Sequence, residues 1–130
     1  MHRVVARIVQ RLDNVDPEAR YQAIRKLGEI RAADALDVLI GRFDDDDPVF
    51  RREVAQALGQ IGDSRAVGVL LERLSDTDES VRQAAAVALG QINDRTLIPV
   101  LVKGLKDESW QHRRGCAMTL GELKAAEAVE

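Results

Sequence analysis

The chain has 130 residues, of which 45% are hydrophobic and 32% are charged, a balance typical of one folded domain rather than a disordered or multidomain protein. Its 22 acidic and 19 basic side chains give a net charge of −3, whereas proteins that bind the phosphate backbone of nucleic acids usually carry a basic surplus. Aromatic residues make up only 3% of the chain. Leu, Ile, Val and Ala must therefore form the core, as they do where helices pack on helices.

The chain offers little sign of export or of membrane insertion. Its single cysteine, Cys116, cannot form an internal disulfide, and no apolar run approaches the roughly 18 residues that span a bilayer. At the N-terminus Arg3, Arg7 and Arg11 interrupt the apolar residues, which is typical of an amphipathic helix rather than of a signal peptide. We therefore expect a cytoplasmic protein without a membrane segment.

The sequence repeats itself with a period of 31 residues, and no insertion breaks the register. The pair Leu-Gly recurs at Leu27-Gly28, Leu58-Gly59, Leu89-Gly90 and Leu120-Gly121. A fixed period of this length is the signature of a repeat architecture. We predict a single domain of four copies, at residues 1–31, 32–62, 63–93 and 94–124, with residues 125–130 starting an incomplete fifth helix or forming a tail.

Each copy contains a short helix, called A, followed by a longer one, called B. The apolar spacing predicts the A helices roughly at Val4 to Leu12, Ala33 to Phe43, Ser64 to Leu74 and Thr96 to Leu105. Each B helix follows a polar turn that ends in an N-cap residue, which is Asp16, Asp47, Asp78 or Ser109 in the four copies. The B helices are predicted to end just past Ile30, Ile61, Ile92 and Leu123.

Neither helix of a copy can bury its apolar stripe alone, so the copies are expected to stack side by side. This predicts an all-α fold, specifically an α-solenoid of four helix pairs. The recurrent glycine lies inside helix B, where it costs about 1 kcal/mol relative to alanine. Its repetition predicts that neighbouring B helices approach closely at that point.

The segment VRQAAAVALGQINDRTLIPVLVKGLKD resembles the short HEAT-like repeat named after the phycobilisome lyases, and the resemblance covers essentially the whole chain. It implies a right-handed superhelix whose B helices line the concave face. Repeats of this kind serve as bilin lyase subunits, as adaptor surfaces and as scaffolds for designed binders, so the resemblance specifies the fold more narrowly than the function. The His-Glu pairs of the di-iron hydroxylases built on HEAT-like repeats do not occur in this sequence.

A polar turn residue stands six positions before a recurrent arginine in every copy. The pairs are Asn14 with Arg20, Asp45 with Arg51, Asp76 with Arg82, and Asp107 with Arg113. The resemblance implies that such pairs form a ladder between neighbouring turns, and a guanidinium group can bond to a carboxylate and to turn carbonyls at once. We expect a structural ladder, with a weaker rung at Asn14 because it lacks a charge.

The inventory of groups suited to catalysis or metal binding is small. Cys116 occupies a small core position, and His112 lies four residues earlier on the same helix, so an inert core thiol beside a cap or core-edge histidine is favoured over a reactive pair. The run Asp44–Asp47 lacks the alternating ligand spacing of a calcium loop. We therefore predict a solvated turn there, and a protein without catalytic residues, metal or cofactor.

The copies differ most at the B-helix positions that point away from the core. The residues predicted to contact a partner are Tyr21, Arg25, Arg52, Gln56, Gln83, Val87, Trp110, Arg114 and Met118. Val87 and Met118 take the place of Arg25 and Gln56 in the repeat, so the surface changes from polar to apolar along the array, as in a protein contact. Trp110 is either an exposed anchor or a cover for the neighbouring turn. The leading hypothesis is a non-enzymatic scaffold that binds an unidentified protein partner on the concave face.

Two other functions remain open. A phycobilin lyase-type subunit or chromophore chaperone follows from the resemblance alone. Binding of nucleic-acid phosphates by Arg3, Arg7 and Arg11 is less favoured than a polar cap at the start of the array, because aromatic residues suited to base stacking are nearly absent. We expect a monomer, or weak self-association through the ends of the array.

Overall fold

The computed structural model describes the backbone of residues 1–129 and the side chains of residues 1–125. The described backbone is all-helical, and it alternates short A helices with longer B helices as predicted. The A helices are α1 (Arg3–Gln10), α3 (Leu36–Gly41), α5 (Val67–Arg73) and α7 (Ile98–Gly104). The B helices are α2 (Pro17–Glu29), α4 (Pro48–Ile61), α6 (Glu79–Ile92) and α8 (Trp110–Val129).

The A helices are shorter than predicted because each is joined to a turn of 3-10 helix. This turn follows α1 at Arg11–Asp13, whereas Ala33–Ala35, Ser64–Ala66 and Arg95–Leu97 precede the other three A helices. Asp63 and Asp94 stand just before the last two of these turns. The side chain of each accepts a hydrogen bond from the backbone N–H two residues later, at 2.9 and 3.0 Å. A 3-10 turn is wound more tightly than an α-helix, so these end residues fall outside the α-helical part of each A helix.

The B helices begin where the sequence predicts. The side chains of Asp16 and Asp47 accept from the N–H groups of Glu18 and Val49, at 3.1 and 2.9 Å, with proline at the first helical position. The side chains of Asp78 and Ser109 cap α6 and α8, where they accept from the N–H groups of Val81 and His112 at 3.2 and 3.3 Å. These bonds satisfy N–H groups that the first helical turn leaves without partners.

The predicted end of the last B helix is wrong, because α8 continues past Leu123 to Val129. Both α4 and α6 end in a left-handed residue, Gly62 with φ 74° and Asn93 with φ 56°, residue types that adopt this conformation most readily. Lys124 stands at the equivalent position, but residue type alone does not account for the difference, because Arg31 at this position of the first copy is also left-handed, with φ 51°. The side chains of residues 126–129 and all of residue 130 lie outside the described residues.

The B helices pack on one another in chain order, and α5 and α7 pack on the B helix of their own copy. One continuous core results, in which the recurrent Leu27, Leu58 and Leu89 are fully buried. Burying each such side chain contributes about 1.5–3 kcal/mol. The structure thus confirms the predicted α-solenoid, in which every copy supplies the wall that its neighbour needs.

The close approach predicted at the four recurrent glycines is confirmed for Gly28, Gly59 and Gly90 but not for Gly121. A Cβ atom on Gly28 would lie 3.0 Å from the Cα atom of Ala57, and one on Gly59 would lie 2.8 Å from that of Ala88. A Cβ atom on Gly121 would meet nothing within 4 Å among the described residues. The glycines therefore set the distance between consecutive B helices, except in the last copy.

Candidate functional site

The exposed and half-buried side chains of the B helices form three rows across the array, because equivalent positions recur every 31 residues on helices that lie side by side. We call this surface the B-face. The row nearest the helix N-termini contains Tyr21, Arg52, Gln83 and Arg114. The middle row contains Arg25, Gln56, Val87 and Met118, and the row nearest the C-termini contains Glu29, Gln60, Gln91 and Glu122.

A groove of about 440 Å³ lies between α4 and α6 at the centre of the B-face. It is lined by Arg52, Gln56, Gln60, Ser80, Gln83, Ala84, Val87 and Gln91. Val87 is 41% exposed and is the large apolar side chain of this groove, among polar ones. The groove brings together four of the residues predicted to contact a partner, and its volume lies in the usual range of ligand sites.

Smaller grooves continue the B-face on both sides. The groove between α2 and α4 measures about 230 Å³ and includes Arg25, Glu29 and Gln56. The one between α6 and α8 measures only about 10 Å³ and includes Gln83, Arg114 and Met118. Grooves therefore follow the B-face from α2 to α8, and a further one of about 570 Å³ lies at its C-terminal edge, beside Glu29, Gln60 and Gln91.

A buried carboxylate fixes the polar end of the B-face. Glu53 is only 3% exposed, and it accepts from Nη2 of Arg25 at 2.8 Å and from Nη2 of Arg52 at 3.4 Å. The hydrogen bond from Arg25 to Glu53 raises the pKa of the Arg25 guanidinium above its ordinary value. Because a buried carboxylate needs such partners, Glu53 holds both arginines in place.

Sequence reasoning missed this role of Glu53, although the repeat contained a signal. The equivalent positions in the next two copies are Ala84 and Gly115, and both are buried. The small residues indicate that this position is enclosed in the later copies, whereas the first copy has the exposed Gln22 there. An enclosed glutamate requires paired donors.

Two predicted contact residues lie apart from the grooves. The hydroxyl of Tyr21 donates to the carboxylate of Asp47, and this bond, followed by burial, raises the pKa of Tyr21. Trp110 is 52% exposed, and the guanidinium of Arg82 lies 5.5 Å from its ring centroid, in cation–π range. Tyr21 thus links the first two copies, and Trp110 packs beside an arginine of the preceding one.

Each recurrent arginine closes the turn that precedes it. Nη1 of Arg20 donates to the carbonyls of Asn14 and Val15, at 2.7 and 3.2 Å, and Arg51, Arg82 and Arg113 repeat this pair of bonds in their own turns. The polar residue six positions before each arginine makes a different bond. Its side chain accepts from the backbone N–H two residues later, at 2.9 Å for each of Asn14, Asp45, Asp76 and Asp107. The bonds of the ladder therefore lie mainly within turns rather than between them.

Arg51 is the recurrent arginine that, within the described chain, also pairs with the carboxylate of the next turn. Its Nε and Nη2 atoms both lie 3.0 Å from oxygens of Asp76, and Nη1 of Arg73 adds a bond of 3.2 Å. Burial alone would raise the pKa of Asp76, but the bonds from Arg51, Arg73 and the N–H of Asp78 hold that pKa below its ordinary value. This bidentate pair joins the second copy to the third.

Cys116 is 1% exposed, with its Sγ atom 3.5 Å from Nε2 of His112. The Nδ1 atom of the same histidine lies 3.1 Å from the hydroxyl of Ser75. Burial, and to a lesser degree Asp107, raises the pKa of the thiol, which opposes formation of a nucleophilic thiolate. The described side chains hold no cluster of three or more histidine, cysteine or carboxylate groups that could bind a metal ion.

None of the described helices is both long and apolar enough to cross a bilayer. No curated protein gives a significant sequence match. Human deoxyhypusine hydroxylase in complex with glycerol has a similar structure, with a TM-score of 0.79 and 30% sequence identity over 97% of this chain and 45% of that protein. The complex of CpcE and CpcF of phycocyanin lyase from Nostoc sp. PCC7120 matches with a TM-score of 0.75 and 28% identity, over 99% of this chain and 56% of that one.

The chain thus spans about half the length of these two proteins. A designed armadillo repeat protein, 21% identical over 96% of this chain and 71% of its own, shares the fold with a TM-score of 0.61. The sequence profile of HEAT repeats matches residues 5–87 and 67–130, which agrees with the 31-residue period and with the packing of the B helices. The chain belongs to the HEAT repeat family.

Proposed function

We propose that this protein is a non-enzymatic HEAT repeat scaffold that acts in the cytoplasm and binds a protein partner on the B-face, the concave side of the array. The observation that carries the proposal is the central groove, in which the exposed side chain of Val87 stands among glutamine amides and Arg52. An apolar contact surrounded by polar side chains is the usual arrangement of a protein interface.

The variation between copies supports the same conclusion. The residues that hold the stack together recur in each copy, whereas the B-face places Arg25, Gln56, Val87 and Met118 at one repeat position. Packing of the helices therefore does not dictate these side chains. The helices that carry this surface are already packed on one another, which lowers the entropy cost of binding.

Affinity capture with a matched control tests this function. The parent protein is compared with the Val87→Asp variant on the B-face and with Val102→Asp on helix α7, whose valine is 50% exposed. Because a charge in an apolar contact is costly to desolvate, we expect a partner that is retained by the parent and by Val102→Asp but lost by Val87→Asp. Circular dichroism confirms that each variant folds. Equal retention by all three proteins contradicts binding at the B-face.

A second candidate, a bilin lyase subunit or chromophore chaperone, is favoured by the similarity to the phycocyanin lyase complex over 99% of this chain. The groove supplies Arg52, and a guanidinium group suits the carboxylates of a bilin. Mixing the protein with phycocyanobilin should then shift the absorbance spectrum of the pigment, and Arg52→Gln should reduce the shift. An unchanged spectrum at excess protein removes this candidate.

A further inference from the structure

A separate groove lies at the first end of the array, between α1 and α2 and outside the B-face. Its volume is about 450 Å³. Two groups of side chains line it, namely the apolar Val4, Ile8 and Ala23 and the basic Arg7, Arg11 and Lys26. Val4 is 52% exposed, although it is a large apolar residue. The groove therefore combines an apolar surface with positive charge.

The repeat shows what covers the same surface in the second copy. There the first copy packs over it, with α2 against α4 and α1 against the 3-10 turn at Ala33–Ala35. The residues equivalent to Val4 and Ile8 are Ala35 and Leu39, and both are fully buried. The groove between α1 and α2 is thus a surface that helices cover in the second copy and that no described helix covers in the first.

The first copy differs from the others in the charge of this surface. Arg7 stands at the repeat position of Val38, Val69 and Val100, and Lys26 stands at that of Ala57, Ala88 and Thr119. Ala57 and Ala88 lie against the glycines of the preceding B helices. An apolar helix packed on the groove in the same way would bury two cations without partners, and that is unfavourable.

Arg11 indicates which chemistry would satisfy these cations. It stands at the repeat position of Arg42, whose Nη1 atom lies 2.9 Å from the Asp13 carboxylate of the preceding copy. Within the described residues Arg7 and Arg11 have no ion pair, and Nζ of Lys26 lies 4.0 Å from the Glu29 carboxylate. An occupant of the groove should therefore bring carboxylates of its own.

A second copy of this chain does not supply them. The residue of the last copy equivalent to Asp13 is Lys106, and both end copies carry more basic than acidic residues. Head-to-tail contact would therefore bring Lys106 toward Arg11, and like charges repel. A nucleic-acid backbone would meet the cations but leave the apolar Val4 and Ile8 in water, so a ligand with both acidic and apolar groups fits better.

We propose that the groove between α1 and α2 binds an acidic amphipathic helix of a partner protein. The apolar stripe of that helix covers Val4 and Ile8. Its flanking carboxylates pair with Arg7, Arg11 and Lys26. This site is distinct from the B-face and does not depend on the function proposed for it.

Three fluorescein-labelled peptides test the chemistry of the ligand. EELLEALEELLEALE forms a helix with one leucine stripe flanked by glutamates, whereas LELEELAEELELAEL has the same composition with leucines on opposite sides of the helix. KKLLKALKKLLKALK keeps the stripe and inverts the charge. Fluorescence anisotropy should show binding of the first peptide that weakens with added salt. The other two should bind about tenfold more weakly, because each lacks one of the two kinds of contact.

Variants of the protein test the site. Arg7→Glu and Lys26→Glu should each weaken binding of the first peptide by about fivefold, because an attraction becomes a repulsion. The matched control is Lys103→Glu, the same change at an exposed position of α7, which should leave the affinity unchanged. The double variant Arg7→Glu with Lys26→Glu should bind the inverted peptide more tightly than the parent does. Circular dichroism confirms that each variant folds.

Several results would overturn the proposal. These are equal affinity for the first two peptides, an equal effect of Arg7→Glu and Lys103→Glu, and no binding of the first peptide at millimolar concentration. Weaker binding by Val87→Asp would place the peptide on the B-face and also overturn it. If vesicles of anionic lipid or a DNA duplex bind in a manner that depends on Arg7 while the peptide does not, the cations serve that ligand and the helical occupant is wrong.

Discussion

Replacing Gly59 by alanine tests whether the glycines set the distance between B helices. Alanine is the better helix former, so an isolated helix would gain about 1 kcal/mol from the change. In this array the added Cβ would lie 2.8 Å from the Cα atom and 2.9 Å from the Cβ atom of Ala88 on the next B helix. Real Cβ atoms do not approach other carbons so closely, and α4 and α6 would have to move apart.

The magnitude follows from two opposing terms. Overpacking a close contact costs about 1–3 kcal/mol, and here the obstacle is the main chain of a buried helix, which places the cost near the upper end. After the gain in helix propensity of about 1 kcal/mol, the net loss of unfolding free energy is expected to be about 1–2 kcal/mol. For a chain of this length the melting temperature should fall by about 3–8 °C.

Urea unfolding followed by circular dichroism at 222 nm measures the effect. Gly121→Ala is the matched control, because the same change in the last copy meets no atom within 4 Å and should stabilise by about 0.5–1 kcal/mol. Gly28→Ala, whose Cβ would lie 3.0 Å from the Cα atom of Ala57, should fall between the two. A Gly59→Ala protein as stable as Gly121→Ala would refute the idea that these glycines are required by the close approach.

Two further predictions concern buried titratable groups. The bonds of Asp76 to Arg51, Arg73 and the Asp78 N–H outweigh burial, and they lower its pKa on folding. The ionised Asp76 therefore contributes its full stabilisation above the unfolded pKa of about 3.9. This stabilisation is lost as the pH falls through the lower pKa of the folded state. Asp76→Asn should cost about 2 kcal/mol at pH 7 and flatten the stability profile below about pH 4, which urea titrations at several pH values would show. An unchanged profile would contradict this account. Burial raises the pKa of the Cys116 thiol. N-ethylmaleimide at pH 7 should therefore label this thiol only after the protein is unfolded in urea, which mass spectrometry can check. Rapid labelling of the native protein would contradict the buried placement.

The fold was largely predictable because the repeat supplies four independent readings of each position. A glycine that recurs inside a helix costs stability each time, so the close approach could be inferred from the recurrence of Gly28, Gly59 and Gly90 alone. The continuation of α8 beyond Leu123 was not predictable in the same way. The residues equivalent to Lys124 in the earlier copies, Arg31, Gly62 and Asn93, are all left-handed, so those copies predict a helix end that the last copy does not have.

The candidate site was less predictable, because side-chain partners on different helices are not encoded in spacing. The position of Glu53 in the helix indicates a surface residue, yet packing buries it and two arginines neutralise it. The pairing of Arg51 with Asp76 likewise depends on how far apart two turns lie. The rows of the B-face, by contrast, follow from the period alone once the B helices are known to be neighbours.

The polar bonds between copies have a consequence for how the array comes apart. The first two copies are joined by Tyr21 with Asp47 and by Arg25 with the buried Glu53, and the next joint has the bidentate pair of Arg51 and Asp76. At the last joint the described polar contacts are that of Ser75 with His112 at 3.1 Å, that of Arg82 with the Trp110 ring, and the exposed ion pair of Arg114 and Glu79 at 3.8 Å. None of these described contacts is a buried or bidentate ion pair. Since repeat proteins open at their weakest interface first, backbone amides of α7 and α8 should exchange with solvent sooner than those of α4, and unravelling should start from the fourth copy.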